Sequence, residues 1–323
     1  MSDSKNLAII SIFYNRSKLV KRCCASLVEH LPSNAILYLV DDGSTDDTYV
    51  ELKKFESSNV KVITQPNKGF VRTIIDTIKG LDSEFIAIHG SGDIALNDRF
   101  RKQYDFLNNH SDYALCGCLM TLEYPEHDRP TQLTGTAFDG DASQEIMKRS
   151  VVTHGEVMFR RSSYDLAGGY REFFKFAQDR DLWCRMSRVG KFYVIDEVLY
   201  GKLCNISGSV SGTPEKSIVQ RLLSEFSVWC HQSVLLGKDD PLERFGVYAS
   251  LMRPKSSSLE KIFLRDFSKS ILMYENKYTL AFLDAACNES TYKFSHFIRF
   301  VYVNFPALIA IPVRIIARIT GKI

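Results

Sequence analysis

The 323-residue sequence predicts an α/β protein: a mostly parallel sheet flanked by helices, followed by a mainly helical C-terminal region. Three observations predict this architecture. Short apolar runs alternate with segments of helical periodicity through the first half of the chain, as in parallel sheets covered by helices. Polar clusters directly follow three of the apolar runs. Beyond about residue 212, helical periodicity dominates the sequence.

The strands are predicted where apolar residues form nearly continuous runs, which is typical of strands buried on both faces. They are Leu7–Phe13, Ala35–Val40, Val60–Thr64, Phe85–His89, Tyr113–Leu122, Val152–Arg160 and Phe192–Val198. Residues 123–151 are polar and contain two prolines and two glycines, so we expect a loop there.

Helices are predicted where apolar residues recur every three or four positions. In the first part of the chain these helices begin near Ser17, Thr45, Gly69, Asp98 and Asp179. After Gly212-Thr213-Pro214 the sequence becomes mainly helical. We therefore predict one domain over residues 1–212 and a helical region over residues 213–323.

The composition is that of a soluble globular protein, with 45% hydrophobic and 24% charged residues, which excludes a disordered chain. Its 41 basic and 38 acidic residues are too evenly balanced to predict a nucleic-acid partner. The eight cysteines lack metal-site spacing, and most lie in apolar runs, so a reducing compartment, the cytoplasm, is expected. The first strand has no cleavage-site pattern after it, so no signal peptide is expected.

The C-terminal segment is basic and apolar. From Ser290 to Ile323 there are five Lys or Arg residues and no Asp or Glu. The uncharged stretch between Arg299 and Arg314 is shorter than the roughly 20 residues that cross a bilayer as a helix. Flanking basic and aromatic residues favour a segment lying in an anionic membrane surface. The alternative is a C-terminal helix packed on the rest of the protein.

Three polar clusters are predicted to meet at the carboxyl ends of the strands, where ligands bind in such sheets. They are Tyr14-Asn15, Asp41-Asp42 and Gly92-Asp93. A carboxylate at Asp42 could accept a hydrogen bond from the imide N–H of a pyrimidine base. One at Asp93 could hold a divalent cation between two phosphates. Both residues also suit turns, and that alternative stays open on local sequence alone.

Asp179 lies in the first turn of a predicted helix. There it could act as a general base, although capping the helix is the commoner use of aspartate at this position. His154 precedes a strand, and a lone histidine is more often a packed or surface residue than a catalytic one. Lys68 could contact phosphate, but most exposed basic residues are simply solvent-facing surface residues that bind no ligand.

Taken in order, six segments resemble the family 2 inverting glycosyltransferases of the GT-A fold, which is Rossmann-like. The resemblance covers about residues 6–210. The segments are IISIFYNR, LVDDGSTDDT, QPNKG, FIAIHGSGDIALNDRF, HGEVMFRRSSYDLAGGYRE and AQDRDLWCR.

The resemblance implies a role for each matching position. Asp42 would read the base, and Asp179 would deprotonate the acceptor hydroxyl. Asp93 would hold Mg²⁺ or Mn²⁺ on the diphosphate. The other positions implied to bind the nucleotide sugar are Ile12, Phe13, Tyr14, Asn15, Lys68, Arg72 and Gly92. Those implied to lie on the acceptor side are His154, Gly169, Tyr170 and Asp181.

The sequence departs from the family pattern at the metal motif. Relatives commonly carry D-x-D-D where this chain has Gly90-Ser91-Gly92-Asp93. We expect either a low metal affinity or a cation such as Lys68 or Arg72 supplying part of the positive charge. The departure also keeps a second hypothesis open, a non-catalytic subunit that binds a sugar nucleotide or a glycan. A nucleotidyltransferase lacks support because no glycine-rich basic loop follows the first strand.

The resemblance also implies the partners. The donor would be a nucleoside diphosphate sugar, with UDP as the default and dTDP or GDP as alternatives. Together with the C-terminal segment, it suggests a glycan acceptor carried on a polyprenyl diphosphate. We therefore expect an enzyme of bacterial surface-polysaccharide assembly, such as O-antigen, lipopolysaccharide or capsule synthesis, peripheral on the inner face of the cytoplasmic membrane.

Overall fold

A computed structural model describes residues 6–124, 130–204, 213–272, 276–291 and 293–319. The chain divides into two compact units, Met1–Ile206 and Ser207–Ile323. The domain boundary predicted at residue 212 lies outside the described residues, so its position stays a prediction.

The first unit is built on a ten-stranded sheet whose order is β3-β2-β1-β4-β9-β6-β10-β5, with β7 on β6 and β8 on β10. The strands are β1 (Leu7–Phe13), β2 (Ala35–Asp41), β3 (Val60–Thr64), β4 (Phe85–Ile88), β5 (Ile94–Ala95), β6 (Tyr113–Glu123), β7 (Gln132–Thr134), β8 (Phe138–Gly140), β9 (Met158–Arg160) and β10 (Lys191–Leu203). The six long strands run parallel, and β9 enters antiparallel between β4 and β6. The predicted α/β class with a mostly parallel sheet is confirmed.

Within the described residues of the first unit, seven helices accompany the sheet. They are α1 (Ser17–Glu29), α2 (Thr48–Lys53), α3 (Phe70–Lys79), α4 (Arg99–Asn109), α5 (Glu145–Lys148), α6 (Arg161–Leu166) and α7 (Gln178–Met186). Every residue of β1 is buried, as its continuous apolar run predicts. Helix α1 covers the sheet with four buried residues at helical spacing, Val20, Cys23, Cys24 and Leu27.

Two parts of the predicted secondary structure are wrong. Residues 123–151, expected to be a loop, contain β7, β8 and α5. These elements are only three or four residues long, too short to show a period in the sequence. The strand predicted over Val152–Arg160 is limited to β9, because the preceding residues form a loop fixed by the buried Glu156, whose carboxylate accepts hydrogen bonds from the Thr153 amide and hydroxyl.

The second unit is helical, as predicted. Its helices are α8 (Pro214–Leu235), α9 (Pro241–Phe245), α10 (Ser257–Leu272), α11 (Asn276–Glu289), α12 (Phe294–Asn304) and α13 (Pro306–Ile319), with a 3-10 helix at Gly246–Leu251. Phe263 and Phe267 of α10 pack with Leu283 of α11 in the centre of this unit. Among the described residues, no helix alone has the length and apolarity to cross a membrane. Taken together, α12 and α13 have sufficient length and apolarity, but the two helices are bent by 103° relative to each other.

Candidate active site

The ends of β1 and β2 are joined through Asn15, which has a left-handed backbone (φ 51°). Its side-chain oxygen accepts a hydrogen bond from the Thr45 amide at 2.8 Å, and its own amide donates to the Ser44 hydroxyl at 2.9 Å. Tyr14 beside it is 49% exposed, whereas the other two predicted pocket residues, Ile12 and Phe13, are buried. A ligand at this edge would therefore meet Tyr14 and the backbone rather than the Ile12 or Phe13 side chains.

The Asp42 carboxylate is 2% exposed and accepts four hydrogen bonds from the protein. The donors are the Gln65 side-chain amide, the Lys68 and Gly69 backbone amides and the Thr73 hydroxyl, at 2.7–3.0 Å. These contacts hold the loop after β3 and the first turn of α3. The base-reading role implied for Asp42 stays a prediction, and the structure adds a second task, fixing this loop.

The Asp93 carboxylate is held at the end of β10. One oxygen accepts the Leu203 amide at 2.8 Å and the other accepts the Tyr200 hydroxyl. A Cβ atom on Gly90 would lie 2.1 Å from Asp93 Oδ2, and one on Gly92 (φ 112°) would lie 2.8 Å from the Leu19 side chain. A side chain at Gly90 would displace the Asp93 carboxylate from this position, and one at Gly92 would need a positive φ that favours glycine.

Tyr200 connects the Asp93 loop to the loop before β9. Its hydroxyl also accepts the Gly90 amide at 3.2 Å, and a Cβ on Gly155 would lie 2.0 Å from the same oxygen. Burial and the Asp93 charge raise the pKa of Tyr200 far above its usual value, so the hydroxyl is a hydrogen-bond donor. Its ring packs on Arg99, a fully buried guanidinium that donates to the Ile88 carbonyl at 2.9 Å.

Replacing Tyr200 by Phe is expected to lower the free energy of unfolding by about 1–3 kcal/mol, since the Gly90 amide and the Asp93 carboxylate each lose a buried partner. The ring contacts with Arg99 are retained, so the fold should survive. Urea unfolding measures the change. Tyr14→Phe, at an exposed tyrosine, is the matched control and should shift the midpoint by less than about 0.5 kcal/mol. Equal midpoints for the two variants would contradict the role given to the hydroxyl.

His154 lies where several elements meet. Its Nε2 is hydrogen-bonded to the Tyr170 hydroxyl at 2.7 Å, and its ring contacts Phe70 at the start of α3 and Trp183 of α7. Burial lowers the pKa of His154, and the Asp179 charge partly opposes that effect. The imidazole is therefore neutral near pH 7 and serves as a packed hydrogen-bonding group.

Asp179 and Asp181 lie in the first turn of α7 but differ in their surroundings. Asp179 is partly exposed, and one of its oxygens accepts the Arg180 amide at 2.8 Å. Asp181 is 1% exposed and forms ion pairs with Arg171 and Arg185. These ion pairs occupy both Asp181 oxygens and join α7 to the loop after α6. The acceptor-side role implied for Asp181 stays a prediction.

The Gly168-Gly169-Tyr170 turn lies against the same region. Gly169 has a left-handed backbone (φ 64°), and a Cβ there would lie 2.9 Å from the Tyr164 ring. The Tyr170 amide donates to the Tyr164 hydroxyl at 3.2 Å, which orients the Tyr170 side chain toward His154. Gly169 thus supports the site through the backbone, while buried Tyr170 contacts His154 directly.

Lys68 and Arg72, the cations expected to compensate for the missing carboxylates, are paired elsewhere. The Lys68 ammonium lies 3.0 Å from Asp76, and the Arg72 guanidinium lies 3.1 Å from Asp76 and also pairs with Glu172. Their charges are therefore offset by acidic neighbours on the α3 surface. The compensating role expected of them receives no support from this arrangement.

The protein donors do not form a metal site by themselves. Within the described residues, no group of three or more His, Cys, Asp or Glu side chains is arranged to hold a metal ion. Asp93 is the one carboxylate of the Gly90–Asp93 loop, and both its oxygens already accept hydrogen bonds. These residues therefore do not fit a metal held mainly by the protein.

Two sets of contacts lead from the predicted carboxylates to His154. Asp93 contacts Tyr200, which abuts Gly155 next to His154. Asp42 binds the Gly69 amide next to Phe70, whose ring lies 5.3 Å from His154. The Asp179 charge also acts on this imidazole. The loops after β2 and β4 and the end of β10 thus come together near His154.

A cavity of about 420 Å³ adjoins this region. Its wall includes Met120, Leu122, Thr153, Glu156 and Lys202, a mixture of apolar and polar groups suited to a sugar. A larger cavity of about 570 Å³ lies at the opposite, amino-terminal edge of the sheet, near Asn6 and Asn34. None of the predicted site residues lines either cavity, but Thr153 and Glu156 in the wall of the smaller one flank His154 and Gly155.

A Rossmann-like sheet with polar loops at the carboxyl ends of its strands, joined to an antiparallel strand between β4 and β6, is the GT-A class of fold. Residues 8–166 match the model of Glycosyl transferase family 2, and the chain belongs to this family through that domain. The family predicted from the six sequence segments is confirmed.

A chondroitin synthase and a putative glycosyltransferase are among the relatives. The chain is 28% identical to chondroitin synthase of Escherichia coli over 213 residues, 62% of this chain and 29% of that protein. It is 26% identical to putative glycosyltransferase EpsE of Bacillus subtilis (strain 168) over 207 residues, 62% of this chain and 73% of that protein. The match thus spans less than a third of the chondroitin synthase.

Solved structures confirm the fold. A mannosyltransferase from Pyrobaculum calidifontis, determined in complex with GDP-Man and Mn²⁺, aligns with a TM-score of 0.54 at 12% identity, over 98% of this chain and 84% of its own. Residues 1–349 of S. aureus TarS align with a TM-score of 0.54 at 15% identity, over 89% and 91% of the two chains.

Proposed function

We propose that this protein is an inverting glycosyltransferase that transfers a sugar from a nucleoside diphosphate sugar to a hydroxyl of a glycan acceptor. The observation that supports this most strongly is the convergence of the Asp42 loop, the Asp93 loop and Asp179 around His154, in a chain of Glycosyl transferase family 2. Chondroitin synthase among the relatives supports a glycan product.

In the proposed reaction Asp179 is the general base. It takes the proton from the acceptor hydroxyl while that oxygen forms a bond to the anomeric carbon. The bond from this carbon to the diphosphate oxygen breaks at the opposite face, and the nucleoside diphosphate leaves with the electron pair. A single displacement of this kind inverts the anomeric configuration. The partial exposure of Asp179 supports this role, because an acceptor can reach it.

The donor is proposed to be a UDP sugar, with dTDP and GDP sugars as alternatives, and the hexosyl or deoxyhexosyl class is left to experiment. A panel of these nucleotide sugars tests the function through thermal stabilisation and hydrolysis, with and without Mn²⁺ or Mg²⁺. A ligand at about 100 times its Kd stabilises the folded state by about 2.7 kcal/mol. Binding with slow hydrolysis supports an enzyme, and binding with no turnover in the presence of glycan acceptors supports the non-catalytic alternative.

The acceptor is proposed to be a lipid-linked glycan reached at the inner face of the cytoplasmic membrane. Helices α12 and α13 support this because they expose a row of large apolar side chains, each at least half exposed. The row is Phe294, Phe297, Phe300, Val303, Phe305, Leu308, Ile311, Ile315 and Ile316. Basic residues Lys293, Arg299, Arg314 and Arg318 accompany it, a composition suited to an anionic surface.

Flotation with vesicles containing anionic phospholipid tests the membrane contact. The double variant Phe297→Glu, Leu308→Glu is expected to float at least about tenfold less than the wild type. The reason is that it places two charges on the exposed apolar face that would enter the membrane surface. A matched control, Leu133→Glu with Leu236→Glu, alters two equally exposed leucines outside the row and should float normally. Equal flotation of both double variants would contradict the proposal.

A further inference from the structure

We propose that Lys202 is a fixed cation for the diphosphate of the donor, doing at this site much of what a metal held by several carboxylates does elsewhere. The inference rests on the proposed function and adds a specific residue to it. Lys202 belongs to no sequence motif discussed above, and the cations expected from the sequence were Lys68 and Arg72. Four observations support the assignment.

The first observation is the place of Lys202 on its strand. The amide of the next residue, Leu203, donates to the Asp93 carboxylate, and the hydroxyl of Tyr200 donates to the same group. Strand β10 keeps a regular register from Tyr200 to Leu203. Because side chains alternate along a strand, Lys202 points to the same face as Tyr200, the face that carries Asp93.

The second observation is its surroundings. Lys202 is partly buried and lines the 420 Å³ cavity together with Thr153 and Glu156, the residues on either side of the His154-Gly155 pair. Its charge also contributes to lowering the pKa of His154. Lys202 therefore belongs both to the strand end that holds Asp93 and to the cavity wall beside the His154 loop, and the proposal places the diphosphate leaving group there.

The third observation concerns charge pairing. Within the described part of the chain, no carboxylate forms an ion pair with Lys202, whereas Lys68 and Arg72 share Asp76 and Glu172. A partly buried ammonium without a carboxylate retains its full attraction for an incoming anion. The two motif-derived cations have much of their charge already offset.

The fourth observation is a second cation whose charge interacts with Asp93. Arg16 follows the end of β1 and is partly buried. Burial lowers the pKa of Arg16, and the Asp93 charge opposes that effect. A region with two cations and one carboxylate is electrostatically suited to phosphate oxygens and poorly suited to concentrating a dication.

The experiment measures binding of UDP, GDP and dTDP, their monophosphates and inorganic pyrophosphate by calorimetry, in EDTA and in Mn²⁺. The proteins are the full wild-type chain, Lys202→Ala, Lys202→Arg and the control Lys79→Ala, which removes an exposed lysine at the end of α3. Thermal unfolding without ligand checks that each variant is folded.

The expected result is binding of a nucleoside diphosphate by the wild type in EDTA, weakened by about tenfold or more in Lys202→Ala. The corresponding monophosphate should lose less affinity, and Lys202→Arg and Lys79→Ala should stay within about threefold of the wild type. Wild-type binding only in Mn²⁺, or equal affinity in Lys202→Ala and Lys79→Ala, overturns this inference but leaves the proposed function standing. No binding of any nucleoside diphosphate in either buffer overturns both.

Discussion

Asp179→Asn is expected to reduce kcat by about 10²–10⁴-fold, since a positioned general base contributes that much to proton transfer. The substitution keeps the side-chain oxygen that accepts the Arg180 amide at 2.8 Å, so the first turn of α7 should be preserved. Nucleoside diphosphate binding should be unchanged, because the base acts on the acceptor. Initial rates of nucleotide-sugar turnover, set beside thermal shifts with the free nucleotide, measure the two effects separately.

The control for this prediction is Asp82→Asn, which changes an exposed carboxylate between α3 and β4 and should leave both quantities unchanged. A turnover in Asp179→Asn within about threefold of the wild type would remove Asp179 from the reaction, although the family assignment would stand. Loss of nucleotide binding together with turnover would instead indicate a role for Asp179 on the donor side.

Asp42→Asn is expected to destabilise the first unit by about 3 kcal/mol, because four donors lose a carboxylate and face an amide that accepts at one oxygen only. For a unit of this size the loss corresponds to about 6–12 °C in Tm. Two of those donors are the amides of Lys68 and Gly69, so the loop before α3 should lose its fixed conformation. Calorimetry without any ligand measures the effect.

This prediction separates two roles of Asp42. If the carboxylate served only to read a base, the ligand-free protein would be as stable as the Asp82→Asn control, and only nucleotide affinity would fall. If it also holds the loop, both stability and affinity fall. An unchanged Tm for Asp42→Asn would therefore contradict the loop-holding role given to its four hydrogen bonds.

The fold could be predicted from the sequence to a large extent because its long strands are continuous apolar runs. The predicted and observed bounds of β1 and β3 coincide, and β2 differs by one residue. The short antiparallel strands β7 and β8 were not predicted, and β9 is only the last three residues of the strand predicted over Val152–Arg160. Their pairing depends on the neighbouring strands. A three-residue strand is also too short to show the alternation of apolar and polar residues that identifies strands in a sequence.

The site could be predicted in part. The motif residues Asp42, Asp93 and Asp179 follow strand ends or begin a helix, and contacts lead from the Asp42 and Asp93 loops to the neighbourhood of His154, while the roles of all three stay predictions. Tyr200 and Lys202 could not be found in this way. They lie near the end of a strand with no distinctive sequence pattern. Their importance comes from tertiary contacts with distant loops, where Gly90 and Gly155 leave space for the Tyr200 hydroxyl.

The burial of Asp181 also could not be predicted from the sequence. It is two residues from Asp179 on the same helix, and both carboxylates belong to the first turn. Which of the two is buried depends on where Arg171 and Arg185 place their guanidinium groups, and these come from the loop before α7 and from the last turn of α7. Helical periodicity alone treats the two residues as equivalent candidates.

The most direct test of the convergence around His154 is a crystal structure of the protein with the nucleoside diphosphate that gives the largest thermal shift. We expect the base between Tyr14 and the Asp42 loop, and the diphosphate between Asp93 and Lys202, with its terminal phosphate toward His154. A nucleotide bound in the cavity near Asn6 and Asn34, at the amino-terminal edge of the sheet, would contradict the account.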